Sequence, residues 1–180
     1  MNVVPHMKIF CPADDVATKK ILRKCIKING PKYVRLGRSE VPYIYNEESE
    51  FEIGKSNMFG VGKDGTIFSV GQTVSIALQA KELLKQKGID VRVVDLYSIK
   101  PIDKDRIVDC AKETDLLLSI EDHNVIGGIG SIISNVLTEY YPKKLIKLGV
   151  QDVFGKSGNP EKLYEKYGIS VGEIVKIFEK

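Results

Sequence analysis

Apolar and polar residues alternate most clearly between residues 65 and 103. A short apolar run at 66–70 ends at a glycine and predicts a buried strand. From Thr73 onward, apolar residues recur with the spacing of one helical face, and Gly88 supplies the left-handed residue that ends a helix. Residues 91–96 form a second apolar run. A strand, an amphipathic helix and a strand at this spacing predict a right-handed βαβ unit with parallel strands.

The same pattern continues toward the C-terminus and enlarges the predicted sheet. Asp103 is a good N-cap for a helix, and the apolar run at 116–120 predicts the next buried strand. Residues 129–140 carry the clearest amphipathic helical stripe in the chain. The apolar residues at 145–148 predict the last strand.

These elements together predict an α/β fold, a three-layer α/β/α sandwich with a mostly parallel five-stranded sheet. Asn159 and Ser170 are N-cap residues, and each predicts a short helix near the C-terminus. The fifth strand is expected at residues 56–61. We expect it to run antiparallel to the others, because Asp64-Gly65 is a strong hairpin turn signal.

The beginning of the chain predicts a smaller, separate unit. Residues 7–11 favour a strand, Asp14 or Asp15 can cap a helix, and residues 33–36 favour a second strand. A single βαβ unit is too small to bury its own faces. We therefore expect residues 1–42 to be the tail of a second α/β domain whose beginning is missing.

The composition changes after this unit, where a proline and aromatic residues precede an acidic cluster. We interpret residues 43–50 as a linker between domains that packs partly through Tyr43, Ile44 and Tyr45. The complete domain is then expected to span residues 51–180.

The composition is that of a globular protein. The chain has 180 residues, of which 43% are hydrophobic and 28% are charged. No apolar run approaches the roughly 20 residues that span a bilayer, and the N-terminus lacks the basic and apolar pattern of a signal peptide. Three scattered cysteines without CxxC spacing fit reduced thiols. We therefore expect a cytoplasmic protein without a membrane partner.

The net charge of +3 conceals an asymmetry between the two parts of the chain. Residues 1–45 hold nine Lys and Arg against three Asp and Glu, whereas the remaining 135 residues hold 18 against 21. A basic N-terminal part could meet nucleic acid or phosphate, but no aromatic platform or nucleic-acid motif accompanies it. A basic helix exposed to solvent is the favoured interpretation, so no nucleic-acid partner is expected.

A glycine-rich turn, Gly127-Gly128-Ile129-Gly130-Ser131, lies between a predicted strand and a predicted helix. Backbone amides at such a place could hold an anion. The turn does not match GxGxxG, however, and it lacks the GK[ST] of a P-loop. The favoured interpretation is that the glycines allow the start of the helix to pack closely on the sheet.

His123 follows Glu121 and Asp122 at the carboxyl end of a predicted strand, which is the edge where ligands of open α/β sheets bind. A carboxylate beside an imidazole could act as a general base, but a structural hydrogen bond is the favoured role. No nucleophile motif accompanies the histidine. The chain's other histidine, His6, lies in another segment, so a metal site is not expected.

Arg35 and Arg38 lie at the end of the strand predicted at 33–36. Alternation places Arg35 on the face opposite Val34, and Arg38 lies just beyond the strand. A guanidinium at such a place can clamp a phosphate with two hydrogen bonds. On this pattern alone, an exposed surface charge is the favoured interpretation of both arginines.

Three stretches of the chain resemble the thiamine diphosphate-dependent transketolase family: GPKYVRLGRSEVP at 30–42, EDHNVIGGIGS at 121–131 and DVFGKSGNPEKLYEKYGIS at 152–170. The segment IKPID at 99–103 fits between them. The resemblance covers essentially the whole chain and is greatest to the C-terminal section of transketolases that are encoded as two halves. Deoxyxylulose-phosphate synthase and the β subunits of 2-oxoacid dehydrogenases share the same layout.

The resemblance implies a role for each part of the chain. Residues 1–42 would end the pyrimidine-binding domain, and residues 51–180 would form the C-terminal domain, which serves for structure and dimer contacts. The cofactor glutamate and the active-site histidines of the family lie upstream. The chain alone is therefore expected to bind neither thiamine diphosphate nor Mg²⁺ and to hold no catalytic residue. Arg38 matches the family arginine that binds the sugar phosphate, which makes it the substrate-binding candidate.

The implied enzyme would transfer a two-carbon ketol unit between sugar phosphates. This chain would be inactive alone, with an N-terminal transketolase section as its partner and a homodimer as the expected assembly. One alternative is a β-subunit fragment of a 2-oxoacid dehydrogenase that docks an acyltransferase core. Another is a free-standing nucleotide-binding domain, which requires the glycine-rich turn to hold phosphate.

Overall fold

The fold is built on a five-stranded sheet with helices on both faces. The computed structural model describes residues 1–38 and 40–180. In chain order the helices and strands are β1 (Lys8–Phe10), α1 (Asp15–Ile26), β2 (Lys32–Val34), β3 (Asn57–Phe59), β4 (Gly65–Ser69), α2 (Thr73–Gln86), β5 (Val91–Asp95), β6 (Ser98–Lys100), α3 (Lys104–Glu113), β7 (Leu116–Asn124), α4 (Ile129–Tyr140), β8 (Leu145–Val150), α5 (Pro160–Lys166) and α6 (Val171–Phe178). The large sheet has the order β3-β5-β4-β7-β8, in which only β3 is antiparallel. The predicted α/β class and mostly parallel sheet are confirmed.

Two apolar cores lie on opposite faces of the large sheet. Helices α3 and α4 cover one core, which includes Ile107, and helices α2 and α6 cover the other, which includes Ile174. Successive strand residues point to opposite faces, so Val93 enters one core and Val94 enters the other. The result is the predicted sandwich of three layers.

The antiparallel strand β3 has a different neighbour from the one that a hairpin requires. The predicted direction is confirmed, but β3 pairs with β5 instead of with β4. The connecting segment is fixed to the turn before β5, because the Asp64 carboxylate accepts a 2.6 Å hydrogen bond from the Asp90 amide. Gly62 lies so close to this turn that a Cβ would be 2.2 Å from the Asp90 carbonyl oxygen. The predicted Asp64-Gly65 hairpin is therefore wrong.

A second, smaller sheet attaches the first unit to the rest of the chain. Its order is β2-β1-β6, with β1 and β2 parallel as predicted and β6 antiparallel to β1. Strand β6 belongs to the later part of the chain and was not predicted. Phe10 is opposite Ser98 in this pairing. Backbone hydrogen bonds therefore join the tail unit to the segment that follows β5.

The linker is anchored by Tyr45 and by the carboxylate of Asp14. Asp14 caps α1 by accepting from the Ala17 amide at 2.8 Å, and its other oxygen accepts from the amides of Ile44 and Tyr45, both at 2.8 Å. Tyr45 is buried and its ring packs edge-on against Phe51. The prediction that Tyr43 also packs is wrong, since that side chain is 76% exposed.

Asp95 is a fully buried carboxyl group next to Tyr45. The Tyr45 hydroxyl donates to its Oδ2 at 2.7 Å, while its Oδ1 has no partner among the described residues. Burial raises the pKa of Asp95 from 3.8 to about 8. Between about pH 4 and pH 8, the Asp95 carboxyl group is therefore expected to stay protonated in the folded chain and to be ionised in the unfolded chain.

We expect the Asp95 contribution to stability to be complete below about pH 4 and to be lost as pH rises to about 8. The loss should approach about 1.4 kcal/mol per pH unit within this window. Asp95→Asn should flatten the pH profile of the unfolding free energy, which urea denaturation between pH 5 and 8 measures. Asp109→Asn, at an exposed carboxylate on α3, should keep the slope. An unchanged slope in Asp95→Asn would show that another group causes it.

Candidate functional site

The candidate site lies where β7 ends beside the start of α4. Strand β7 is longer than predicted and carries Glu121, Asp122 and His123 to the carboxyl edge of the sheet. The pairing of β7 with β8 is irregular between Ile120 and Asn124. Such an irregularity changes the direction in which neighbouring side chains point.

Glu121 is almost fully buried and provides the anion for the start of α4. Its two carboxylate oxygens accept hydrogen bonds from the backbone amides of Ile129, at 2.8 Å, and Gly130, at 3.0 Å. Burial raises the pKa of Glu121, and these two hydrogen bonds oppose the rise. A carboxylate at a helix N-terminus also interacts favourably with the helix dipole. The amides that could hold a phosphate are therefore occupied by the chain's own side chain.

The glycines of the turn permit the close approach that this contact needs. A Cβ on Gly128 would lie 1.8 Å from Glu121 Oε2, and a Cβ on Gly130 would lie 2.8 Å from Ser119 Oγ. Gly127 has a φ of 77°, a left-handed conformation that favours glycine. The close-packing interpretation of the turn is confirmed. The nucleotide-binding hypothesis required amides of this turn to hold a phosphate, but two of them bind the Glu121 carboxylate instead.

His123 is exposed and takes part in a local contact. Its Nδ1 lies 2.8 Å from the carbonyl oxygen of Asn124 and donates to it when that nitrogen carries the proton. Neither preceding carboxylate orients the imidazole, because Glu121 is held by amides and Asp122 is paired with Arg35. Within residues 1–38 and 40–180, no group of three His, Cys, Asp or Glu could hold a metal ion. The arrangement fits the structural role that the sequence favoured for His123.

Arg35 joins the tail unit to the candidate site. Its Nη2 donates to the Asp122 carbonyl oxygen at 2.8 Å and to the Asp122 carboxylate at 3.1 Å. The Arg35 side chain is only 32% exposed. Burial raises the pKa of the neighbouring Cys11 thiol to about 11, and the positive charge of Arg35 opposes the rise. The prediction of an exposed surface charge is therefore wrong for Arg35.

Arg38, the candidate phosphate ligand, is exposed. It makes no hydrogen bond and no ion pair within the part of the chain that the structure describes. The next residue, Ser39, lies outside the described residues. Arg35 pairs with Asp122, whereas none of the described hydrogen bonds or ion pairs joins Arg38 to this site, so the phosphate role of Arg38 stays a prediction.

A cavity of about 330 Å³ lies between the tail unit and the glycine-rich turn. Polar or charged side chains from both parts line it, together with apolar ones. Its polar and charged lining includes Cys11, Arg35, Glu121, Asp122 and His123. Arg38 is not among the residues that line this cavity, so the predicted site residues do not form one common pocket.

Two further residues near the candidate site have no local signal in the sequence. Gln72 precedes α2 and packs against Gly37, where a Cβ would lie 2.1 Å from Gln72 Nε2. The Tyr164 hydroxyl on α5 donates to Gln72 Oε1 at 2.8 Å. Gly37 and Gln72 are 35 positions apart in the sequence, and Gln72 and Tyr164 are 92 positions apart. A local pattern therefore could not have revealed them.

The fold and the site define a three-layer α/β/α domain that carries part of a second α/β unit. Residues 54–174 match the family model described as the transketolase C-terminal domain. The chain therefore belongs to the transketolase family. No helix in residues 1–38 and 40–180 is long and apolar enough to cross a membrane.

Several known proteins are similar to the chain over nearly its full length. A Methanocaldococcus jannaschii protein with the provisional name transketolase C-terminal section is 38% identical over 98% of this chain and 56% of its own length. One subunit of the apulose-4-phosphate transketolase of Phocaeicola vulgatus is 37% identical over 98% of this chain and 56% of its own length. Rat transketolase is 37% identical over 96% of this chain and 28% of its own length.

A solved structure has the same fold. It is described as a split gene transketolase in an inactive beta4 tetramer, and it matches with a TM-score of 0.95 and 43% identity. The match covers 99% of this chain and 59% of that chain. The chain thus spans little more than half the length of the split-type relatives that it matches.

Proposed function

We propose that this chain is the C-terminal part of a transketolase-like enzyme that transfers a two-carbon ketol unit between sugar phosphates, and that it is inactive alone. The observation that carries the proposal is the similarity to transketolase C-terminal sections over 98% of the chain. One of these relatives is named for a sugar phosphate, apulose 4-phosphate. An N-terminal transketolase section is the proposed partner.

The cofactor that the family implies does not fit the residues of this chain. Thiamine diphosphate requires a site for a diphosphate and its Mg²⁺, such as backbone amides at a glycine-rich helix start. The backbone amides at the glycine-rich start of α4 are occupied by the Glu121 carboxylate. When bound elsewhere in the assembled enzyme, the cofactor would supply the carbanion stabilisation that ketol transfer needs.

We expect this chain alone to give no saturable heat when titrated with thiamine diphosphate and Mg²⁺ in a calorimeter. The reason is the division of roles that the family resemblance implies, in which the diphosphate site, its Mg²⁺ and the ring-binding glutamate belong to other parts of the enzyme. The same titration of the enzyme assembled with the N-terminal section is the positive control. Micromolar binding to the chain alone would contradict the proposed division of roles.

Ketol transfer between pentose phosphates by the assembled enzyme tests the function itself. The chain should be combined with the remaining parts of a transketolase, and both parts should be required for activity. The alternative, a β-subunit fragment of a 2-oxoacid dehydrogenase, predicts co-purification of a lipoyl acyltransferase and no ketol transfer. The relatives described above are transketolases, which favours the first function.

We also propose a homodimer as the assembly of this section. The solved relative is described as a tetramer of its β chains without activity, which supports self-association of this part of the enzyme without the other section. Sedimentation equilibrium should give a mass of at least twice 20.1 kDa. A monomer at micromolar concentration would contradict this assembly.

The proposed domains are residues 1–42, the linker 43–50 and residues 51–180. The two sides of the linker have separate helices, but the pairing of β1 with β6 and the contacts of Asp14 and Tyr45 join them. We expect limited proteolysis to cut first within the first 50 residues, because residues 51–180 contain both faces of the large sheet. Earlier cuts between 65 and 150 would contradict these boundaries.

A further inference from the structure

The loop after β2, which carries Arg38, is held at two points by residues of the C-terminal domain. At its first residue, the Arg35 guanidinium donates to both the carbonyl and the carboxylate of Asp122. The Arg35 amide also donates to the Phe10 carbonyl at 2.9 Å, which fixes the backbone where the loop begins. Arg35 and Asp122 are half-buried, so this ion pair is less screened by solvent than a surface pair.

The second point of contact lies next to Arg38 itself. Gly37 faces the Gln72 side chain so closely that a Cβ would meet three of its atoms within 2.8 Å. Consecutive Cα atoms are about 3.8 Å apart. The Gln72 side chain therefore restrains the backbone one residue before Arg38.

Gln72 is in turn oriented by Tyr164. The Tyr164 hydroxyl on α5 donates to Gln72 Oε1 at 2.8 Å, and Tyr164 is half-buried. Burial, followed by the negative charge of Asp122, raises the pKa of Tyr164 to about 12. The phenol therefore stays protonated and able to donate near neutral pH. Asp122 therefore acts on both points of contact, because it pairs with Arg35 and its negative charge helps to raise the pKa of Tyr164.

We propose that Asp122, Gln72 and Tyr164 are positioning residues that hold the 35–38 loop and so place the Arg38 guanidinium for the substrate phosphate. This inference rests on the proposed function, in which Arg38 is the phosphate ligand. It assigns to the C-terminal domain a part in substrate recognition that acts through the loop carrying Arg38. A guanidinium needs fixed geometry to make two parallel hydrogen bonds to a phosphate, so a loosened loop should weaken phosphate binding selectively.

The experiment compares four variants of the assembled enzyme with phosphorylated and unphosphorylated ketol donors. Tyr164→Phe removes only the hydroxyl, and Asp122→Asn removes the charge while keeping the backbone contact to Arg35. Each should raise KM for the phosphorylated donor about 3- to 10-fold, and change kcat little, since one hydrogen bond or one charge is lost. Tyr167→Phe, just after the same helix, is the matched control, because the Tyr167 hydroxyl contacts the Lys156 amide instead. Asp109→Asn is the matched control for charge.

A second readout separates positioning from a general loss of stability. Amide hydrogen exchange in the 36–38 segment should be faster in Tyr164→Phe and Asp122→Asn than in the two controls. In an Arg38→Ala background, Tyr164→Phe should have no further effect on KM, because the group that it positions is gone. Additive effects in this double variant would overturn the inference.

The outcomes also distinguish the inference from the function on which it rests. If Arg38→Ala selectively weakens the phosphorylated donor but Tyr164→Phe and Asp122→Asn do not, the phosphate site stands and the positioning role is wrong. If Arg38→Ala affects both donors equally, the phosphate site is wrong and the inference fails with it. Ketol transfer by the wild-type assembly tests the overall activity independently of either result.

Discussion

Replacing Arg38 with alanine in the assembled enzyme should raise KM for phosphorylated sugars roughly 10- to 150-fold. The resemblance of residues 30–42 to the transketolase family makes this arginine the proposed phosphate ligand, and its side chain is exposed and makes no ion pair with any other described residue. Loss of a charge-assisted contact to a phosphate costs about 1.5–3 kcal/mol, which gives the stated range. Steady-state kinetics with a phosphorylated and an unphosphorylated ketol donor measures the effect.

The unphosphorylated donor is the internal control for this variant, because it has no phosphate to lose. Arg38→Lys should recover only part of the affinity, since an ammonium group cannot reproduce the planar fork of a guanidinium. His123→Ala is the second control, and we expect it to affect folding or assembly more than turnover. An equal loss with both donors would mean that Arg38 is structural.

The sequence predicted the elements whose patterns are long and regular. The stripe of α4 and the apolar strands β4, β5 and β7 are strong local signals, and the N-caps Asp103, Asn159 and Ser170 each accept the expected backbone hydrogen bond. The three-layer arrangement followed from their order. A local pattern is sufficient to predict an element when the same residues determine both its secondary structure and the face that it buries.

The errors in the fold come from contacts that a local pattern cannot contain. Asp64-Gly65 has the composition of a hairpin turn, but the Asp64 carboxylate binds an amide 26 positions away and β5 takes the place beside β3. Strand β6 has only three residues, too few to show alternation, and it pairs with β1 almost 90 positions earlier. In both cases long-range pairing overrides the local preference.

The sequence placed Glu121, Asp122 and His123 at the end of a strand and favoured a structural role for His123, but it did not show which group each side chain contacts. A carboxylate beside the His123 imidazole was one interpretation, but Glu121 is buried against helix amides and His123 contacts a neighbouring carbonyl oxygen. Strand β7 is buried on both faces, so no alternation indicates which carboxylate faces inward. The ion pair of Arg35 could not be predicted from a local pattern either, because its partner Asp122 is 87 positions away.

The contact between Glu121 and the start of α4 indicates that the glycine-rich turn stabilises this domain. Two buried amides and one buried carboxylate satisfy one another at the start of α4. A buried polar group that loses its partner costs free energy, and a charged group costs more than a neutral one. The contact is therefore worth most when all three groups are in place, and a change that separates them should be among the most damaging in the chain.

Gly128→Ala should lower the free energy of unfolding by about 2–4 kcal/mol. The new Cβ would lie 1.8 Å from Glu121 Oε2 and 2.7 Å from the carbonyl oxygen of Asn124, so either the carboxylate or the backbone must move. The φ of Gly128 is −83°, which alanine can adopt, so the expected loss is steric. Urea denaturation followed by circular dichroism measures the change.

Gly172→Ala is the matched control for this substitution, because a Cβ there meets nothing within 4 Å. Alanine is the better helix former by about 0.5–1 kcal/mol, so this variant should be neutral or slightly more stable than the parent. A smaller residue at position 121 should relieve the clash, and Glu121→Ala combined with Gly128→Ala should therefore cost less than the sum of the two single changes. Strict additivity, or a Gly128→Ala variant as stable as the parent, would show that the turn can move away from the carboxylate at little cost.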